Sequence, residues 1–356
     1  MPLQRFIALP GYVALAAAVV LALAWPAAAE TARYWPLLAG LVLLGLPHGA
    51  VDHHVPERLG TPSRRAPLLI WYVALTAAGI ALWWIAPWMA LALFLVVAAV
   101  HWGAGDVWFA LNVSARARFL RPWRVAAFIA ARGLLPVALP LLIHPAAAAE
   151  GTGAILRAVG VESSGWAPSG VWRLAGLIAV AVAVAAAVGA SVLDHRASPD
   201  PRAMRIDTAE ILLLTVTMLV VPPVFAVGVY FVSWHAARHV ARLMTSSPAQ
   251  ARLIDAGRVP AALLAWHREA APMTLVSLAG LGILAALVWR MPVKPDAVVG
   301  SALALIAALT LPHALVVAWM DRVELGDASR RPAPVRHGDR VLGTAPGLAA
   351  TRGTAH

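Results

Sequence analysis

Long apolar runs, separated by short polar stretches, divide this chain into membrane-length blocks. The runs lie near residues 6–27, 34–54, 67–86, 88–110, 124–144, 171–193, 207–221, 223–243, 273–291 and 297–320. A helix rises 1.5 Å per residue, so about 20 residues cross a bilayer. The pattern predicts an all-α, polytopic transmembrane helical bundle of about 10 spans. The runs are continuous rather than alternating, which argues against a transmembrane β-barrel. The seventh run is short, and Pro222-Pro223 interrupts the stretch that holds it. Reading 207–243 as one kinked helix instead would give nine spans.

Arginine placement separates these counts. With the N-terminus inside, the loops at 55–66, 111–123, 194–206 and 244–270 all face the cytoplasm, provided that 207–243 is two spans. Those loops and their flanks carry Arg58, Arg64, Arg65, Arg116, Arg118, Arg121, Arg196, Arg202, Arg205, Arg242, Arg252, Arg258 and Arg268. Positive residues concentrate on the cytoplasmic side, which favours a hairpin at Pro222-Pro223. This reading gives a multi-pass protein of the inner cell membrane with both termini cytoplasmic. The segment 145–170, rich in Gly, Ala and Ser, is the longest outside loop. The first run, with Arg5 before it and Ala27-Ala28-Ala29 after it, imitates a secretory leader. It is longer than the usual leader core and is read as a retained span. Residues 1–321 form a single transmembrane catalytic domain, and 322–356 a basic, disordered cytoplasmic tail.

Composition agrees: 61% of residues are hydrophobic and 13% charged, about half the charged fraction of a soluble domain. Cysteine is absent, so disulfides, thiolate metal sites and cysteine nucleophiles are excluded. The net charge of +11 sits in short loops and the tail beside apolar runs. It is assigned to topology and anionic lipid rather than to nucleic acid.

Histidines inside the apolar runs carry the chemistry. His48, His101, His235, His239 and His313 all fall in the cytoplasmic half of the bilayer under one orientation. Polar imidazoles at that depth are costly and mark functional sites. His235 and His239, four residues apart, lie one turn apart on one helix face, the spacing by which one helix supplies two metal ligands. The plainer reading is two histidines at a helix end by the membrane surface, with Arg238 marking the interface. Imidazoles without a carboxylate-rich shell suit Fe, Zn, Cu or Ni. Asp52, four residues after His48, could accept the second N–H of a ligating imidazole. Asp106 could do so only for another helix's histidine; both aspartates could equally mark helix ends entering water. His53 and His54 are read as solvated neighbours. Gly49, Gly103 and Gly105 allow close helix approach or leave room for a ligand. Trp102, Trp108 and Trp234 are interfacial belt residues or walls for a flat, conjugated apolar substrate.

In combination, Pro47-His48-Gly49-x-x-Asp52-His53, His101-Trp102-Gly103-x-x-Asp106, Trp234-His235-x-x-Arg238-His239 and Pro312-His313 followed by Met320-Asp321 resemble the Brp/Blh family of β-carotene 15,15'-dioxygenases. The resemblance spans roughly residues 40–321. It implies an integral membrane enzyme with non-haem Fe(II), cleaving the central double bond of β-carotene with O2 into two all-trans-retinal, with a rhodopsin as recipient. It implies iron ligands at His48, His101, His235 and His239, and assigns no ligand role to His313, which stays with Asp52 and Asp106 as a second-layer candidate. Trp102 and Ala236 depart from the residues commoner at these motif positions. Two rival readings remain from the residues alone. A di-iron lipid desaturase or carotenoid hydroxylase would need about eight histidines and an H-x-x-H-H cluster, which is missing here. A metal or proton transporter would need polar groups in both halves of the bilayer.

Overall fold

The computed structural model describes residues 2–114, 121–197, 201–289 and 295–328. Arg116, Arg118 and the tail beyond 328 lie outside the described residues. The chain is helical throughout, and no strand occurs among the described residues. The elements in order are α1 (Pro2–Ala24), α2 (Pro26–Thr31), α3 (Trp35–Gly40), a π-helical segment (Leu41–Gly45), α4 (Leu46–Ala50), α5 (Val55–Arg58), α6 (Arg65–Ile85), α7 (Pro87–Asn112) and α8 (Pro122–Ile143). They continue as α9 (Pro145–Ala158), α10 (Gly170–Ala197), α11 (Pro201–Val220), α12 (Pro223–Tyr230), a second π-helical segment (Phe231–Ala236), α13 (Ala237–Ser246), α14 (Pro248–Asp255), α15 (Val259–Trp289) and α16 (Pro295–Ala328).

Every expected span is mostly helix among the described residues. Among the described residues, seven helical stretches are long and apolar enough to cross a membrane: Leu3–Ala24, Trp35–Arg58, Pro62–Ile85, Pro87–Asn112, Pro122–Ile143, Gly170–Ala197 and Ile306–Glu324. The protein is therefore an all-helical membrane protein. The helix between 201 and 246 is broken at Pro222-Pro223, and Glu210 on α11 meets Arg238 on α13 at 3.0 Å. A single straight helix would hold residues 28 positions apart at about 42 Å. The chain therefore doubles back at the two prolines. Two features differ from the expectation. The segment 145–170 is not all loop: Pro145 starts α9, as proline does well at the first helical position, and the alanines that follow favour helix. This helix packs on α16, where a Cβ at Gly300 would stand 2.1 Å from the Ala154 carbonyl oxygen. The last helix also runs past 322 to Ala328.

Glycine sets the closest helix contacts. α7 and α8 cross through a reciprocal pair: a Cβ at Gly103 would lie 2.1 Å from the Ile129 carbonyl oxygen, and one at Gly133 1.9 Å from that of Ala99. The first helix is packed into the bundle. Its Gly11 abuts the Ser233 carbonyl, and the Tyr12 hydroxyl donates to Glu210 at 2.6 Å.

Candidate metal centre

Five imidazoles meet in the bundle interior. They come from α4 (His48), α7 (His101), the second π segment (His235), α13 (His239) and α16 (His313), and all are at most 7% exposed. Ring centroids stand 4.8 Å apart for His48–His313, 4.9 Å for His101–His313, 5.0 Å for His101–His235, 5.1 Å for His48–His239 and 5.2 Å for His239–His313. The longer separations are 5.9 Å for His101–His239, 6.2 Å for His48–His235 and 6.5 Å for His235–His239, whose planes are 7° from parallel. Shared depth is thus a physical meeting, and it includes His313.

The hydrogen bonds fix two tautomers. A carbonyl oxygen only accepts, so His48 Nδ1 must donate to Leu44, at 2.9 Å, leaving its Nε2 lone pair free. His313 Nδ1 donates to Asp52 Oδ2 at 2.8 Å. The Nε2 atoms of His101, His239 and His313 are buried with no hydrogen-bond partner. Buried polar atoms are normally satisfied, and orphaned ones call for an unseen partner. A metal ion would answer this need. With Nε2 about 2.1 Å from an ion, neighbouring ring centroids stand about 4.6–5.3 Å apart and opposed ones about 6.5 Å. The observed separations cover the same range. Among the described residues, no group of three or more such side chains stands close enough, as placed, to hold an ion.

The local backbone suits this placement. His235 sits in a π-helical turn, a feature frequent at functional sites. Glycines admit that turn: a Cβ at Gly40 would lie 2.8 Å from Val232 Cβ, and one at Gly45 2.9 Å from the Phe231 ring. Of the other glycines beside the histidines, Gly103 serves the close crossing with α8. Gly49 and Gly105 leave space, since a Cβ would meet nothing within 4 Å at the first and only His235 Cε1 at 3.9 Å at the second.

Asp52 does receive an imidazole N–H, but from His313 rather than from His48, which uses Leu44. Asp106 touches no imidazole and is no helix end in water. It accepts from Trp234 Nε1 at 3.0 Å, is bridged by Arg132 at 3.1 Å, and pairs with Arg238. The same two arginines hold Glu210, at 2.8 and 3.0 Å. The network is balanced, two cations against two anions, and joins α7, α8, α11 and α13. Arg238 is 3% exposed, inside this network. Of the tryptophans, Trp102 lies beside the site, its ring 5.2 Å from His235 and 5.3 Å from Tyr230. Trp234 faces away, under the Arg238 guanidinium and against Tyr12. Trp108 donates to Glu324 and lies under Arg242. His53 and His54 stack on each other at 3.9 Å, outside the cluster.

Comparison with known proteins agrees with the motifs. A model of the Beta-carotene 15,15'-dioxygenase family matches residues 39–321. "Probable beta-carotene 15,15'-dioxygenase Blh" of Halobacterium salinarum is 38% identical over 326 residues, covering 88% of this chain and 92% of that protein. "Probable beta-carotene 15,15'-dioxygenase Brp" of the same species is 32% identical over 310 residues, covering 80% and 82%. A "Beta-carotene 15,15'-dioxygenase" of an uncultured marine bacterium is 33% identical over 76 residues, covering 20% of this chain and 28% of that protein. No solved structure matches. With the family model spanning most of the chain and Blh aligning along nearly its whole length, this protein belongs to the β-carotene 15,15'-dioxygenase family.

Proposed function

We propose that this protein cleaves the central double bond of β-carotene with O2 to give two molecules of all-trans-retinal, at one Fe(II) held by His48, His101, His235 and His239. The observation that carries this reading is the meeting of five buried imidazoles, of which His101, His239 and His313 each keep an Nε2 with no hydrogen-bond partner. When bound, the iron supplies the activation of oxygen; the protein's part is position and dryness. His48 presents Nε2 because Leu44 holds its Nδ1–H. The pair His235 and His239 delivers two nitrogens from one helix. Burial of all the rings keeps bulk water from the reacting bond. Trp102, tilted 33° to His235, offers a conjugated wall beside them.

A C40 hydrocarbon dissolves only in the bilayer, and apolar surface lies on the same helix as His101. Ala90, Phe94 and Val97 line a groove with Trp83 and Leu311. Their spacing from His101 (i−11, i−7, i−4) keeps them on its face of α7. A larger cavity, about 730 Å³, is lined by Val96, Ala99 and Val100 of the same helix, with Leu134 and Trp172. At 100° per residue that face points away from His101, and none of the five histidines lines it. Ten spans, an inner-membrane location, cytoplasmic termini and release of retinal to a membrane-embedded rhodopsin complete the reading.

The test is expression in bacteria that make β-carotene, followed by assay of the purified chain. Bleaching, retinal as the product, about one iron per chain, loss of turnover on Fe(II) chelation or oxygen removal, and indifference to NAD(P)H are expected. Two irons per chain would favour the hydroxylase or desaturase reading. Carotene left intact under air by iron-loaded protein would refute the oxygenase reading.

A further inference from the structure

We propose that His313 is itself a metal ligand, with Asp52 as the carboxylate that positions it. This inference rests on the metal centre proposed above and adds a residue that the family motifs leave without a ligand role.

Ring spacing is the first argument. His313 stands 4.8, 4.9 and 5.2 Å from His48, His101 and His239, all within the range for neighbouring ligands on one ion, about 4.6–5.3 Å. No other imidazole has three such contacts. By comparison, His235 is 6.2 and 6.5 Å from His48 and His239. The ring most centrally placed in the cluster is therefore the one on α16.

The second argument is the hydrogen-bond state of that ring. Its Nδ1 donates to Asp52 at 2.8 Å, so Nε2 carries the lone pair, and Nε2 is buried without a partner. Metal-bound histidines characteristically give their other N–H to a carboxylate, which fixes the tautomer and raises ligand basicity. His48 makes the weaker form of this arrangement, to a neutral carbonyl.

The third is charge. Asp52 is 3% exposed, and its ion-pair contact is to His313, with no arginine or lysine paired to it among the described residues. The hydroxyl of Tyr72 is its other polar neighbour. A buried carboxylate without a cation is expensive. Asp106 and Glu210, comparably buried, each have two arginines. A divalent ion on His313 Nε2 would supply the missing positive charge to Asp52 through the ring. Five imidazoles on an octahedral ion would leave one position open, enough for O2, with the alkene held by the apolar walls alone.

The experiment uses full-length protein in detergent, stripped of metal and titrated with Co(II), whose visible spectrum reports its ligands. The variants are His313→Ala, His313→Gly, Asp52→Asn and His239→Ala. We expect His313→Ala to lose more than about 100-fold in Co(II) affinity, beyond the roughly 10–100-fold typical of outer-shell changes, and to shift the spectrum. Added imidazole should restore affinity and spectrum to His313→Gly, which a purely structural histidine would not allow. Asp52→Asn should lose about 10–100-fold while keeping the wild-type spectrum. Wild-type affinity and spectrum in the His313 variants would overturn the inference; loss in His239→Ala alone would then leave the proposed function standing. If the His313 variants fail to fold, Asp52→Asn decides, and unchanged affinity there overturns the inference. Failure of the unmodified protein to bind Co(II) would overturn both readings.

Discussion

Substituting Gly103 with alanine tests whether the α7–α8 crossing sets the position of His101. The added Cβ would stand 2.1 Å from the Ile129 carbonyl oxygen and 2.9 Å from its carbon. Non-bonded contact requires well over 3 Å, so the shortfall is about 1 Å. The obstacle is helix backbone, which cannot rotate aside. Gly133 closes on Ala99 from the other helix at 1.9 Å, so the two helices must separate. His101 lies two residues from Gly103 on the same rigid helix and would move with it by a comparable amount. Metal sites tolerate about 0.2 Å in ligand distance. Overpacking of this kind costs about 1–3 kcal/mol, offset by about 1 kcal/mol of better helix propensity. Gly103→Ala should therefore lower the thermal midpoint by a few degrees and Co(II) affinity by at least tenfold. Gly49→Ala and Gly105→Ala are the controls. They lie equally near histidines but would meet nothing within 4 Å and only His235 Cε1 at 3.9 Å, so both should bind metal as the parent does and melt no lower. Unfolding can be followed by tryptophan fluorescence. If Gly103→Ala matched Gly49→Ala in both measurements, the crossing would not be what positions His101.

Two further outcomes follow from the buried charges and the chain reversal. Asp106→Asn would leave Arg132 and Arg238 facing Glu210 alone, and breaking a buried ion network costs about 3–5 kcal/mol. Its thermal midpoint should fall far more than that of Glu30→Gln, which loses an exposed pair with Arg33 worth at most about 1 kcal/mol; equal midpoints would refute the clasp. A reporter fused after Leu253 should read as cytoplasmic, and a periplasmic signal would contradict the proposed topology around the Pro222-Pro223 reversal.

Helices were legible because hydropathy alone dictates them: a run of about 20 apolar residues has few other stable forms in lipid. The reversal at Pro222-Pro223 was legible because two independent signals, the prolines and the arginine-rich loop after 243, agree. Depth also found the histidines, His313 included, because topology converts sequence position into height in the bilayer. Height carries no azimuth, however. Nothing in the sequence told which imidazole Asp52 would face, and His48, four residues before it, donates to Leu44 instead. The same lack of azimuth set Trp108 and Trp234 beside Trp102 as candidates, although only Trp102 turns toward the histidines. The pairing of Arg238 was not legible because its partners, Asp106 and Glu210, are 132 and 28 residues away. The π-helical turns had no signal of their own, since no residue type marks them.

The two buried polar clusters also differ in a way that points to where the chemistry lies. Around Asp106 and Glu210 the protein supplies both signs itself, two arginines against two carboxylates, with Tyr12 and Trp234 adding donors from the rim. Such a cluster needs nothing from outside and can serve as a clasp between α7 and α13. One layer away, the imidazole cluster is the reverse. It gathers imidazole rings, three of which keep an Nε2 without a hydrogen-bond partner, and among the described residues it sets a carboxylate beside one of them without an arginine or lysine. Left to itself that arrangement costs free energy at each unsatisfied atom, about 1–3 kcal/mol apiece, and the bundle must hold it together against that cost. The balanced network joins α7 to α13, the helices that bring His101 and His239. The satisfied cluster is therefore placed to brace the unsatisfied one. A cation site would call for this combination: rigid charge pairing in the support, and ring nitrogens without partners in the pocket that it supports.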